Sequence, residues 1–417
     1  MKRNLGERDD LRRRLRRLGM VRGARELTEP SPRRRVAIEE LVDGEFHETP
    51  HGQCFVAREA LPLDYRHGDL SLHSFLELSP QVAAQMAGQP DLAAVDLRQA
   101  VFLDTETTGL SGGTGTMAFL VGLGFFADEA FHLLQVFLRD PGDEPAMVHL
   151  LDELLSRFRA LVTFNGRGFD VPILETRFIL DRRPFPLLAT PHLDLLGPAR
   201  RLWRIRLDSC ALGNLEREVL GMERDQADVP SGVIPYLYRD YLRTGDAREV
   251  SRVLYHNKID VLSMVTLASR LGAAFGDPWQ ATHLTGPDFY ALSRWYEERE
   301  ASEAVLRHAL GRELPPEIRW QALRDLALVL KREEGRSQAF EWWQQLAVEN
   351  PEEIRAPVEL AMIFEWETLQ LDLAAGWTRI ALRRAERKPP GLRREQTLAE
   401  LRHRLERLER RIADQRS

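Results

Sequence analysis

FLDTETTGL, residues 102–110, begins as an apolar strand and breaks into two acids, Asp104 and Glu106, before threonines and a glycine. Alternation along a strand sends residues i and i+2 to one face. Two like charges side by side repel unless a cation lies between them or water surrounds them. A divalent metal is one answer and a solvated strand end is the other, so the rest of the chain has to decide.

The segments around this stretch read as an α/β domain over residues 99–272. AVFLD, TMAFLVGLGFFA, FHLLQVFLRD and LVTFNG carry strand composition, rich in branched and aromatic residues. EPAMVHLLDELLSRFRA has apolar residues at helical spacing, with Pro145 in its first turn, and DVPILETRFILDRR is a second helix. Three strands, then helix, strand and helix, predict an α/β sheet layered with helices.

Two further acidic sites fall in this span. Asp170 ends FNGRGFD, where the chain leaves a strand, turns through Gly166 and Gly168, and enters a helix. That is the carboxyl edge of a parallel sheet, the usual place for ligands. Asp260 lies in YHNKIDVLSMV, inside an otherwise apolar helix, with His256 one turn earlier on the same face. Taken singly, Asp170 reads as a helix cap, His256 and Asp260 as an ordinary helical pair, and the strand acids as solvated. Taken together, four carboxylates brought to one sheet edge form a site for hard cations, and oxygen ligands suit magnesium or manganese.

DTETTGL, FNGRGFD and HNKID resemble the three exonuclease motifs of the DEDD superfamily, which shares the ribonuclease H-like fold. The resemblance covers residues 99–272. It implies a mixed sheet with flanking helices, and 3′-to-5′ removal of nucleotides with two Mg²⁺ or Mn²⁺ ions, held by Asp104, Glu106, Asp170 and Asp260. It also implies that Thr107, Gly109 and Leu110 hold the terminal nucleotide, that Asn165 lies near its sugar, and that Phe169 packs behind Asp170. With FHETPHG, IPYLYRDYL and the helices that follow, the chain resembles bacterial YprB-type proteins. One departure stands out. Members carry either Tyr four residues before the last acid or His five before it, and here Tyr255 and His256 are exchanged. Residues i and i+4 share a helix face, whereas i and i+5 diverge by about 140°. His256 is therefore the expected general base or water positioner, with Tyr255 in reserve.

The flanks differ in character. Residues 1–98 form an arginine-rich arm (LRRRLRRLG, then SPRRRV) and an irregular, partly β lead-in. His47, His51, His67 and His73 match no zinc spacing. From 285 to 417 the chain is helical and repeats with an offset of 34: Leu326 matches Leu360, Ala327 matches Ala361, Trp343 matches Trp377 and Ala347 matches Ala381. That period resembles the tetratricopeptide helix pair. Such repeats offer an extended surface for a protein partner.

Composition bounds the rest. At 43% hydrophobic and 29% charged residues the chain is globular, and its net charge of -6 gives no global field for nucleic acid. Two cysteines exclude a disulfide framework, and the N-terminus lacks the apolar region of a secretory signal, so a cytoplasmic location is expected. The apolar run Met117–Ala127 is about half a bilayer span, and no membrane partner is expected. The expected substrate is a single-stranded 3′ end, with Arg167, Arg177, Arg182 and Arg183 as candidates to track its backbone. The alternative is a scaffold with a slow or silent nuclease fold, whose repeats recruit a partner.

Overall fold

The structure is a computed structural model that describes residues 35–109, 115–225, 227–296, 298–333 and 335–416. The arginine-rich arm before residue 35 and the candidate Leu110 lie outside the described residues.

Seven strands form one sheet in the order β1-β2-β7-β6-β5-β8-β9. They are β1 (Gly44–Thr49), β2 (Gly52–Pro62), β5 (Ala100–Thr107), β6 (Ala118–Ala127), β7 (Ala130–Phe137), β8 (Ala160–Thr163) and β9 (His192–Asp194); β3 (Arg66–His67) and β4 (Leu70–Ser71) pair separately. β5, β8 and β9 run parallel, and β1, β2, β7, β6 and β5 are antiparallel neighbours. This is the mixed sheet of an RNase H-like domain, with helices on both faces. The lead-in is less irregular than its Gly, Pro and His content suggests. β2 pairs with β7 along eight residues, from Phe55↔Phe137 to Pro62↔Ala130, and so extends the same sheet. β9, only three residues long, has too little pattern to be read in advance.

Alternation along β5 divides its side chains between two cores. Ala100 and Phe102 enter one core, and Val101 and Leu103 the other. Asp104 and Glu106 continue the face of Ala100 and Phe102. Helices α1 (Pro80–Ala87), α4 (Leu196–Trp203) and α5 (Leu212–Val219) close that face. Helices α2 (Glu144–Leu155), α3 (Asp170–Leu180) and α6 (Ile234–Thr244) close the other.

The long helix α7 (Val250–Gly276) serves both cores. Val250, Val253 and Leu254 belong to the second core, while Val261 to Phe275 contribute to the first. Its middle, carrying His256, Asn257 and Asp260, lies at the changeover. By length and composition it is the one helix among the described residues that could cross a membrane, but most of it is buried within the protein.

The C-terminal part is all helical: α8 (Gly286–Ser293), α9 (Arg299–Leu310), α10 (Pro316–Glu333), α11 (Phe340–Glu349), α12 (Arg355–Trp366), α13 (Leu371–Glu386) and α14 (Leu392–Arg416). The repeated positions explain themselves. Leu326, Leu360, Ala327, Ala361, Trp343, Ala347 and Ala381 are all buried between neighbouring helices, where small residues let helices approach. Helices α8 to α12 share the first core with the sheet domain, whereas α13 and α14 place their buried apolar residues in two smaller clusters of their own. Phe275 meets Trp295, ring centroids 4.8 Å apart, and Arg206 reaches the fully buried Asp288 at 3.0 Å.

Candidate metal and nuclease site

Each acid reaches the site by a different route. Asp104 and Glu106 arrive on β5, whose pairing with β6 shifts register between Glu106 and Thr107. A bulge at a strand end re-aims the flanking side chains. Asp170 begins α3, on the opposite face, and comes round the carboxyl end of the sheet. Its Oδ1 accepts hydrogen bonds from the Thr105 amide at 3.0 Å and the Thr105 hydroxyl at 2.5 Å. The turn before it is tight: a Cβ on Gly166 would meet the Thr163 side chain at 2.5 Å. Asp260 projects from α7, one turn after His256.

Asp260 and Asp170 destabilise the charges of Asp104 and Glu106, while Arg224 and His256 offset part of the burial of Asp260. Burial pushes Asp104 well above the usual carboxylate range, and Asp260, Asp170 and Glu106 add repulsion in that order. Burial, then Asp260 and Asp170, do the same to Glu106. Burial raises Asp170 to about 6 against the pull of the two Thr105 hydrogen bonds. Burial also raises Asp260. Such a cluster is short of positive charge.

Sequence reasoning missed a second ring of residues. Asn257, fully buried, donates from Nδ2 to Asp104 Oδ2 at 2.7 Å, and its own Oδ1 accepts from Gln135 at 2.8 Å. Loop residues Arg224, Asp228 and Ser231, between α5 and α6, close over α7. Arg224 forms a bidentate pair with the buried Glu216, both contacts at 2.6 Å, and also pairs with Asp260. Asp228 Oδ1 lies 2.6 Å from His256 Nδ1. These residues follow no periodic pattern; the sole local hint is an acid four residues after an arginine.

His256 turns its Nε2 toward the acids, 3.6 Å from Asp260 Oδ2 and 3.8 Å from Glu106 Oε1. Glu106, His256 and Asp260 each offer a ligand atom within 4.8 Å of the others. Tyr255 turns away from the four acids, toward Asp225 on the covering loop and a cavity between β2 and α7. Thr107 closes the strand end by donating to the Gly109 carbonyl at 2.7 Å. Phe169 packs on the second core. Asn165 is exposed at the same edge with φ +66°. Its amide donates to Asp194 at 2.8 Å.

The arginines expected to track a backbone are mostly tied down. Arg177 pairs with Glu144 through two contacts, Arg183 with Asp152 and Asp181, and Arg167 donates to the His192 carbonyl at 2.6 Å. Of the lead-in histidines, His67 is buried on Ser263 at 2.8 Å, and His73 pairs with Glu77.

The donor set fits a hard divalent cation: carboxylate oxygens with one imidazole nitrogen, mutually repelling and part-buried. A family model of the RNase_H superfamily (RNase_H_2) matches residues 101–272. The uncharacterized protein YprB of Bacillus subtilis (strain 168) is 33% identical over 322 residues, covering 75% of this chain and 76% of that protein. The chain therefore belongs to the family of YprB, with an RNase H superfamily domain carrying this acidic site.

Proposed function

We propose that the protein is a metal-dependent 3′-to-5′ exonuclease acting on a single-stranded or frayed nucleic-acid end. The observation that carries this reading is the convergence of Asp104, Glu106, Asp170 and Asp260 into one cluster, in which Asp260 and Asp170 raise the pKa values of Asp104 and Glu106. Asp104, Glu106, Asp170 and Asp260 would hold two Mg²⁺ or Mn²⁺ ions. When bound, those ions supply the positive charge that lets a phosphodiester approach and a water lose its proton.

The chain's own residues do the rest. His256 Nδ1 faces both the Asp228 carboxylate, an acceptor, at 2.6 Å and the Arg224 guanidinium, a donor, at 3.1 Å; the shorter contact favours the proton on Nδ1. Nε2 is left with its lone pair facing the carboxylates, placed to accept a proton from the attacking water. The water oxygen forms a bond to phosphorus as the bond to the 3′ oxygen of the preceding nucleotide breaks. A nucleoside 5′-monophosphate leaves, and the shortened strand takes up a proton on its new 3′ hydroxyl. Asn257 fixes Asp104, and Thr105 fixes Asp170. Thr107 and Gly109 form the turn against which the last nucleotide would rest.

The test is a 5′-labelled single strand incubated with Mg²⁺ or Mn²⁺. A ladder shortening from the 3′ end, abolished by EDTA and by Asp104→Asn, is the expected result. Internal cuts without a ladder, or full activity in the Asp104→Asn variant, would overturn the assignment.

A further inference from the structure

A groove of about 750 Å³ opens beside the second motif and is not used by the chemistry above. Phe164 and Asn165 form its end at the carboxyl edge of β8. Arg200, in the last turn of α4, and Arg204, just past its end, line its wall, and Ser209 lies on the segment leading into α5. Asp208 is the one acid among its lining residues. Arg200 and Arg204 are exposed. Among the described residues no ion pair or hydrogen bond ties either guanidinium. That contrasts with Arg167, Arg177 and Arg183, all held by partners inside the protein.

We infer that this groove carries the phosphodiester backbone of the strand that leads into the active site, with Arg200 and Arg204 gripping successive phosphates. The inference rests on the exonuclease reading and adds the path of the substrate. Three observations carry it. First, the groove begins at Asn165, whose exposed side chain and left-handed backbone stand at the edge bearing Asp170, and strain of this kind collects where a ligand is held. Second, Arg200 and Arg204 are one helical turn apart, about 6 Å along the axis, which suits neighbouring phosphates of an extended strand. Third, two unpaired guanidinium groups against one carboxylate give the groove the sign of charge a polyanion needs, in a protein whose net charge is -6. Contacts of this kind read the backbone and are indifferent to sequence.

The test compares Arg200→Gln/Arg204→Gln with the parent protein. Binding of a labelled single strand of about 12 nucleotides is measured by fluorescence anisotropy in the Asp104→Asn background, so that turnover does not interfere. The expected result is roughly tenfold weaker binding and a salt dependence of log Kd shallower by about 1.4, two contacts at ~0.7 each. In the active protein, the KM advantage of that strand over a dinucleotide shrinks about tenfold. Arg200→Lys/Arg204→Lys keeps most of both. Unchanged binding and salt slope, or equal losses on strand and dinucleotide, would overturn the groove assignment. If the active protein degrades nothing, the exonuclease reading fails, and the binding arm still decides the groove.

Discussion

Asp228 Oδ1 and His256 Nδ1 lie 2.6 Å apart, the shortest polar contact of the ring, and with Nδ1 held there Nε2 faces the carboxylates. Removing the orienting acid should cost rate more than binding. Asp228→Asn is expected to lower kcat about 10- to 100-fold, as loss of such an outer partner does, with KM little changed. His256→Ala should cost about 10²- to 10⁴-fold. Tyr255→Phe should leave kcat within about twofold, because that ring lines a cavity away from the acids. Steady-state kinetics on one oligonucleotide ranks the three, and a larger loss for Tyr255→Phe than for His256→Ala would reverse their roles.

Charge crowding makes a stability prediction opposite in sign to the activity prediction. Asp104 is held well above its ordinary pKa by burial and three acids. Asp104→Asn removes one charge and keeps an oxygen to accept from Asn257, which now donates at 2.7 Å. In the metal-free protein the variant should melt roughly 2 °C higher, while nuclease activity falls about 100-fold or more. Calorimetry after EDTA treatment checks the first part. A variant that melts lower would mean the cluster is not mutually repulsive.

The site was readable in the sequence where its residues sit on regular elements. Asp104 and Glu106 stood out because a strand's period of two put both on one side. Asp260 did so because a charge interrupted an apolar helix. Arg224, Asp228 and Ser231 sit in a loop, and their partners Asp260 and His256 are 36 and 28 residues away. No local period marks such a pairing. β2 was obscured for a related reason. Its four consecutive buried residues, Cys54 to Ala57, are explained only by pairing with β7, more than seventy residues later. The 34-residue offset was legible because helix-to-helix packing repeats the same buried small residues.

Metal binding should stabilise the protein more at neutral than at acid pH. Burial raises Asp170 to about 6 in the fold, from an ordinary value of 3.8. Below about pH 3 both folded and unfolded chains hold that proton, and no penalty arises. As pH rises toward 6 the unfolded chain releases its proton first, so the metal-free fold loses stability across that window. A cation competes with the same protons. The rise in Tm on adding Mn²⁺ is therefore expected to be small near pH 5 and to grow to its full size above about pH 7. A shift equal at both values would place the ion elsewhere.

Gly122 stands opposite Asp104 in the β5–β6 register. A Cβ there would meet Asn257 Oδ1 at 2.2 Å and Asn257 Cγ at 2.8 Å. Asn257 is fully buried and held by Gln135, so it has little room to retreat. Gly122→Ala should destabilise the fold by about 1–3 kcal/mol through overpacking. It should also reduce activity, since it pushes away the residue that fixes Asp104. Gly122→Ala paired with Asn257→Ala relieves the clash, so it should recover stability without recovering rate. Recovery of both would mean that Asn257 only fills space.

The helical region is not an independent appendage. Its first helix contributes Asp288, fully buried, to a contact with Arg206 at 3.0 Å, and the adjoining Trp295 stacks on Arg201 at 4.4 Å. Trp295 also covers Phe275 near the end of α7. A chain stopped after Asp277 would expose Phe275 and the buried helix face that leads back toward Asp260, and it would leave Arg206 without its carboxylate. Exposed apolar surface of this kind favours association. The truncated protein is expected to bind a hydrophobic dye, to melt at least about 5 °C lower, and to lose nuclease activity in step with its folded fraction. A truncated form that melts like the full chain would make the repeats a separate module, and the shared core would then count for little in the energetics of the sheet domain.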